Sequence, residues 1–272
     1  MVIEQWLWTN KSMYGAILGD LIGAPWEFKR MKRKDFSPLV RPDTGITDDS
    51  IMTVAIADSL LHEIPPAEAM RAWGRRVMPA ETVAGYGAGF IKWLASPEIQ
   101  PPYNSYGNGA AMRVSPAGWL YDDLETSLEV ARLVTDVTHN HPEGIKGAQA
   151  TVMAIFLARQ GKAIQSIRER IQERFGYDLS RSIDQCRDEH VYNETCQICV
   201  PDSIICALGS DSYEDAVRNA VSLGGDADTL GAIAGSIAEI IHGIPDDLIA
   251  QAQAFLDESF MPILEEFYDR VG

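Results

Sequence analysis

The sequence predicts an all-α fold, a single compact multi-helix orthogonal bundle over residues 1–272. Three observations predict it. Apolar residues recur at i, i+3/4 and i+7, most clearly at Ala227, Leu230, Ile233, Ala234, Ile237, Ala238 and Ile241, the spacing of one helix face. Runs of two-residue alternation bounded by turn signals are missing, so neither a strand nor a βαβ rhythm is expected. The composition, 46% hydrophobic and 23% charged in 272 residues, suits a globular chain with a large core, and no low-complexity tract or fixed-period repeat interrupts it.

Each element follows in order. Gly15-Ala16-Ile17-Leu18-Gly19-Asp20-Leu21-Ile22-Gly23-Ala24-Pro25-Trp26-Glu27 carries small residues at helical spacing, so close approach of a neighbouring backbone is expected. The stretch from about Lys29 to Thr44 reads least helical and is predicted to be a surface loop bordering a site. Its basic cluster, Lys29-Arg30-Met31-Lys32-Arg33-Lys34, reads as solvated, with a rim for an anionic substrate as the alternative. The apolar run Ile51–Ala55 follows Gly45-Ile46-Thr47-Asp48-Asp49-Ser50 as a helix follows its start signal. Gly107-Asn108-Gly109-Ala110-Ala111-Met112-Arg113 reads as a glycine-rich turn entering a helix, whose N–H groups suit a phosphate. Further stripes at Leu124, Leu128, Ala131 and Val134, at Ala148, Val152, Ile155 and Phe156, and at Ala216, Val217, Ala220 and Val221 should face one core. Breaks are expected at Ser37-Pro38, Arg41-Pro42, Pro65-Pro66, Ser96-Pro97, Pro101-Pro102, His141-Pro142, Pro201 and Pro245.

Charge and cysteine placement narrow the function classes. Lys and Arg total 23 against 39 Asp and Glu, a net charge of −16 that repels phosphate backbones and anionic lipid, so no nucleic acid or membrane partner is expected. Met1-Val2-Ile3-Glu4-Gln5-Trp6 lacks the basic start and apolar stretch of a signal peptide, which points to the cytoplasm; a monomer is expected. Cys186, Cys196, Cys199 and Cys206 fall in one segment, unlike a disulfide framework, and are read as buried reduced thiols; zinc at Cys196-Gln197-Ile198-Cys199 lacks a regularly spaced second pair. Two histidines in Thr138-His139-Asn140-His141 point to different faces of a helix, so no shared metal is expected there.

Two acidic motifs carry the chemistry. Thr47-Asp48-Asp49-Ser50 and Gly224-Gly225-Asp226-Ala227-Asp228-Thr229 each precede an apolar helical run and so read as N-caps. A cap needs one acceptor, however, and each motif offers two carboxylates and a threonine hydroxyl. Such negative charge is unfavourable together unless a cation neutralises it. Oxygen ligands suit Mg²⁺, Mn²⁺ or Ca²⁺ rather than zinc, and six such groups exceed the needs of one Mg²⁺, so a dinuclear cleft is the expectation.

Gly19-Asp20…Gly23…Glu27, Thr47-Asp48-Asp49-Ser50, Gly107-Asn108-Gly109…Met112-Arg113, Thr138-His139 and Gly224-Gly225-Asp226-Ala227-Asp228-Thr229…Gly231-Ala232…Gly235, in that order from about Tyr14 to Gly243, resemble the motif set of the ADP-ribosylglycohydrolases, whose prototype activates dinitrogenase reductase. The resemblance implies an all-α domain with two Mg²⁺ or Mn²⁺ ions, hydrolysing the bond between the distal ribose of ADP-ribose and an acceptor. It implies metal ligands at Thr47, Asp48, Asp49, Asp226, Asp228 and Thr229, a cleft-gating carboxylate at Glu27, and an ADP-ribose groove lined by Asn108, Gly109 and His139.

The residues suit that chemistry. Cleavage at an anomeric carbon builds oxocarbenium character, and a water activated by metal and carboxylate attacks from the far face. Glu27, Asp48, Asp49 and Asp228 are the candidate catalytic carboxylates, with the choice of base open. Tyr103 and Tyr106 are candidates for an adenine wall, against ordinary amphipathic burial. No local Ser-His-Asp or Cys-His pattern supports covalent catalysis. The segment Arg181 to Thr195 departs from the family pattern and is read as shaping acceptor choice. Arginine-linked ADP-ribose is the first expectation, with serine linkage and small ADP-ribosyl compounds open. The rivals are a non-catalytic ADP-ribose binder or structural relative, and a two-metal hydrolase of another nucleotide compound.

Overall fold

The structure, a computed structural model, describes residues 13–77 and 85–272; the N-terminal hexapeptide read for a leader lies outside them. Fifteen α-helices stand among the described residues: α1 Tyr14–Gly23, α2 Asp48–Leu61, α3 Pro66–Arg76, α4 Ala88–Ala95, α5 Gly109–Met112, α6 Ser115–Trp119, α7 Leu124–Asp136, α8 Pro142–Arg159, α9 Ile164–Phe175, α10 Ile183–Glu189, α11 Cys196–Leu208, α12 Tyr213–Val221, α13 Ala227–His242, α14 Asp246–Gln253 and α15 Phe260–Val271. Extended pairing among those residues is limited to one antiparallel bridge, Gly107 with Thr195. No helix among them is long and apolar enough to cross a membrane.

Helix α13 lies at the centre. It carries the expected stripe, but its burial is wider, with every residue from Ala227 to Glu239 covered. Helices α1, α8, α11 and α12 all pack on it, and its Gly231, Ala232 and Gly235 leave room for neighbours on the faces outside the stripe. Helix α1 is buried along all its residues and runs antiparallel to α13. A methyl group on Gly15, Gly19 or Gly23 would collide with the backbone carbonyl of Gly235, Gly231 or Ala227 in turn, so hydrogen side chains at four-residue spacing let the two backbones touch. Beyond the start of α1, Glu239 of α13 accepts the N–H groups of Gly15 at 2.8 Å and Met13 at 3.3 Å.

Prolines mostly behave as read: Pro66 and Pro142 open α3 and α8 as first residues, and Pro245 caps α14. Pro201 does not break the chain. It sits inside α11, where its missing N–H forfeits one bond near the first turn while Val200, Pro201 and Ile204 stay buried in the core. The loop before α2 is exposed over its basic cluster, yet Lys32 Nζ ends on the carbonyls of Arg187 at 2.6 Å and His190 at 2.7 Å, in the last turn and at the C-cap of α10. Lys34 pairs with Asp215 of α12 at 2.7 Å.

Candidate functional site

The antiparallel pairing of α1 and α13 builds the first half of the site. Because Gly23 rests on Ala227, the short 3₁₀ turn Ala24–Trp26 delivers Glu27 beside the first turn of α13. Glu27, Asp226 and Asp228 each offer a carboxylate oxygen within 4.8 Å of the others, and all three are buried. This is the one group of three such donors with metal-like proximity among the described residues, so no comparable cysteine set arises there; the four cysteines are buried free thiols.

The first turn of α2 supplies the second half. Thr47 is its N-cap, and its hydroxyl accepts the Asp49 N–H at 3.3 Å. Capping explains no more than that. Asp226 stands at the N-cap of α13 without a side-chain cap bond, and instead accepts the amide of Asn108 at 2.7 Å. Asp49 Oδ2 has the hydroxyls of Thr47 and Thr229 each at 3.3 Å, which brings the two motifs together. Asp49 Oδ1 is buried with no hydrogen-bond partner.

These carboxylates are held uncomfortably. Burial, then the charges of Asp228 and Asp20, pushes Asp48 up to about 8. Burial, then Asp228 and Asp48, pushes Glu27 to about 8. Asp49 and Asp228 rise well above the carboxylate range from burial and then their acidic neighbours, while burial lifts Asp226 to about 6. An orphaned buried oxygen, oxygen-only donors and like charges packed together fit a hard divalent cation.

A cleft of about 480 Å³ opens over this set. Among the described residues six carboxylates line it, those of Glu27, Asp48, Asp49, Glu194, Asp226 and Asp228, against one cation, the buried Arg113. Arg113 donates to Thr138 Oγ1 at 2.7 Å, and burial lowers its pKa to about 10. His139, buried at the wall, is pushed down by burial and then by Arg113, so it is neutral. Its Nδ1 lies 2.8 Å from Thr138 Oγ1, whereas His141 caps α8 by accepting the Glu143 N–H at 3.1 Å; the two histidines do separate jobs.

The cleft gathers most of the sequence candidates: Glu27, Asp48, Asp49, Asn108, Gly109, His139, Asp226, Asp228 and Thr229 line it, as does Tyr103. Thr47 is buried just behind, joined to it through Asp49. Tyr106 stays outside. Its carbonyl accepts the Cys196 N–H at 3.0 Å, and its ring, 46% exposed, packs on His141 with centroids 5.1 Å apart. Tyr86, just before α4, and Phe90 on it stack at 5.0 Å and line the cleft, and neither was among the sequence candidates. Tyr192 and Glu194 also line the cleft, from the segment that matched no pattern, and Phe28 stacks on Tyr192 at 6.1 Å. The cysteines buttress the Gly107–Gly109 turn: Cys196 donates its S–H to the Gly107 carbonyl at 3.1 Å, and Asn108 donates to Cys199 Sγ at 3.4 Å.

The chain is similar to known proteins in sequence and in fold. ADP-ribosylhydrolase ARH3 of Mus musculus is 26% identical over 304 residues, covering 85% of this chain and 82% of its own. The ADP-ribosyl-(dinitrogen reductase) glycohydrolase of Rhodospirillum rubrum is 27% identical over 259 residues, covering 85% and 84%. The solved structure of an ADP-ribosylglycohydrolase-related protein complex has the same fold, with a TM-score of 0.72 at 22% identity over 96% of each chain. The sequence model of the ADP-ribosylglycohydrolase family matches residues 10–271, and the chain therefore belongs to the ADP-ribosylglycohydrolase family.

Proposed function

We propose that this protein hydrolyses the glycosidic bond between ADP-ribose and an acceptor, releasing ADP-ribose, with arginine-linked ADP-ribose as the favoured substrate and two Mg²⁺ or Mn²⁺ ions as cofactors. The observation that carries the reading is the convergence of two Asp/Thr motifs on one buried oxygen set whose Asp49 Oδ1 has no partner. Thr47, Asp48, Asp49, Asp226, Asp228 and Thr229 would hold the cations. Bound there, divalent cations orient hydroxyl ligands and lower the pKa of water.

The chain's own groups do the rest. Asn108 holds Asp226 in place, and neutral His139 with the Gly107–Gly109 turn forms one side of a groove for ADP-ribose. Tyr86 and Phe90 offer a flat apolar wall to a purine. Glu27, Asp48, Asp49 and Asp228 stand as candidates to accept the proton of the attacking water, all four lining the cleft and each able to act only as the carboxylate that a bound cation favours. Burial pushes Cys196 and Cys199 upward, so neither offers a thiolate, in keeping with direct attack by water. The acidic lining of the cleft, Glu194 among it, suits a departing guanidinium.

The test is release of free ADP-ribose from arginine-linked and serine-linked ADP-ribosyl peptides with Mg²⁺, Mn²⁺ or EDTA. Metal-dependent release, strongest from the arginine linkage and lost in Asp228→Asn, is expected. Retention of substrate without turnover would instead mean a binding protein, and products other than free ADP-ribose a different hydrolase.

A further inference from the structure

Asp20 lies on α1, fully buried, with no cation paired to it among the described residues, and its carboxylate binds Thr47 and Ser50 at the start of α2. Oδ2 accepts the backbone N–H groups of Thr47 at 3.0 Å and Ser50 at 3.1 Å and the Ser50 hydroxyl; Oδ1 accepts the Thr47 hydroxyl at 2.9 Å. A hydroxyl has one proton. The Thr47 hydroxyl also lies 3.3 Å from Asp49 Oδ2, and the shorter contact commits the proton to Asp20. One lone pair of Thr47 Oγ1 then accepts the Asp49 N–H at 3.3 Å, and the other is left on the side away from Asp20, toward Asp49, whose Oδ1 is buried without a partner.

We infer that Asp20 is a positioning residue: by fixing the proton of Thr47 and the first turn of α2, it presents Thr47 Oγ1 and Asp49 as ready oxygen ligands for a divalent cation. The inference rests on the proposed metal site. A glutamate could not replace Asp20 without moving the carboxylate by a methylene, and an asparagine would place an NH₂ donor where one carboxylate oxygen now accepts. With an NH₂ facing Thr47, its hydroxyl proton turns toward Asp49 and blocks the position a cation would take.

The test is Mn²⁺ affinity, followed by the electron paramagnetic resonance signal of free Mn²⁺, in the full-length wild type, Asp20→Asn, Thr47→Val and the double variant, with circular dichroism melts on the metal-free proteins. Asp20→Asn is expected to weaken Mn²⁺ binding about 10- to 100-fold while staying folded, as loss of a group behind a ligand does. Thr47→Val is expected to weaken it comparably, Thr47→Ser to restore it, and the double variant to bind no more weakly than the worse single one. A charge acting at a distance would weaken binding equally in either background, so additive losses overturn the inference, as does a folded Asp20→Asn with wild-type affinity. If Asp20→Asn does not fold, Thr47→Val decides alone, and unchanged affinity there overturns the inference. Failure of the underlying reading looks different: no Mn²⁺ binding by the wild type, or binding unaffected by Asp49→Asn, removes the metal site itself and the inference with it.

Discussion

Asp49 shows what a functional residue costs its own fold. Its side chain is buried among Asp20, Asp48, Asp226 and Asp228, one oxygen lacks a partner, and no salt bridge relieves it. Asparagine at this position removes the charge at nearly constant volume, so the metal-free Asp49→Asn protein is expected to melt a few degrees higher than the wild type near pH 8, about 1 kcal/mol corresponding to 2–4 °C in a chain of this class. Added Mg²⁺ reverses the order, because a ligand that binds only the folded state raises its melting temperature and the variant has lost that ligand's site. Thermal melts with and without Mg²⁺ check both halves; a variant that melts lower without metal and still gains from Mg²⁺ would remove Asp49 from the site.

Among elements, the pairing of α1 with α13 sets everything else, since it brings Glu27 to Asp228 and Asp20 to the start of α2. A methyl group on Gly19 would meet the backbone of Gly231 and Ala232, which cannot yield as a flexible side chain does. Gly19→Ala is accordingly expected to destabilise by about 1–3 kcal/mol or more through overpacking, read as a lowered denaturation midpoint with an unchanged m-value. The close packing of α1 was legible in its glycine spacing, and the matching Ala227, Gly231 and Gly235 gave the partner the same period. Which helix would answer which was not legible, because small residues carry no complementary code. The two acidic motifs were legible from residue type alone as one cluster of oxygen donors, and the structure brings them together through Asp49. The pairing of Tyr86 with Phe90 at the cleft was not, since it depends on where α4 and the residues just before it are placed, and Tyr106, expected to line the cleft, instead packs on His141 beside it. Pro201 misled as well: a proline near a helix start forfeits only one bond, which the buried face of α11 offsets.

At the scale of the molecule, buried carboxylates give stability a definite pH dependence. Glu239, buried against α1 with no cation beside it, is pushed from 4.5 up to about 8 by burial, and Glu27 and Asp48 reach about 8 as well. Between its unfolded and folded values each group binds more protons in the folded chain than in the unfolded one, so stability declines as pH rises through that window. The metal-free protein is expected to lose melting temperature from about pH 5 to pH 8, each group contributing at most about 1.4 kcal/mol per pH unit. Glu239→Gln keeps an oxygen for one of the two N–H groups it accepts and cannot ionise, so its melting curve should fall less steeply and gain on the wild type by pH 9; parallel curves would assign the slope to other groups.

The central claim is that the starts of α2 and α13 form one cation site. Anomalous diffraction from crystals of the protein grown with Mn²⁺ tests it most directly. The expected result is two Mn²⁺ peaks between those helix starts, within coordination distance of Asp48, Asp49, Asp226, Asp228 and the Thr47 and Thr229 hydroxyls. Mn²⁺ bound elsewhere, or no peak there at saturating Mn²⁺ and a pH above 8, would contradict it.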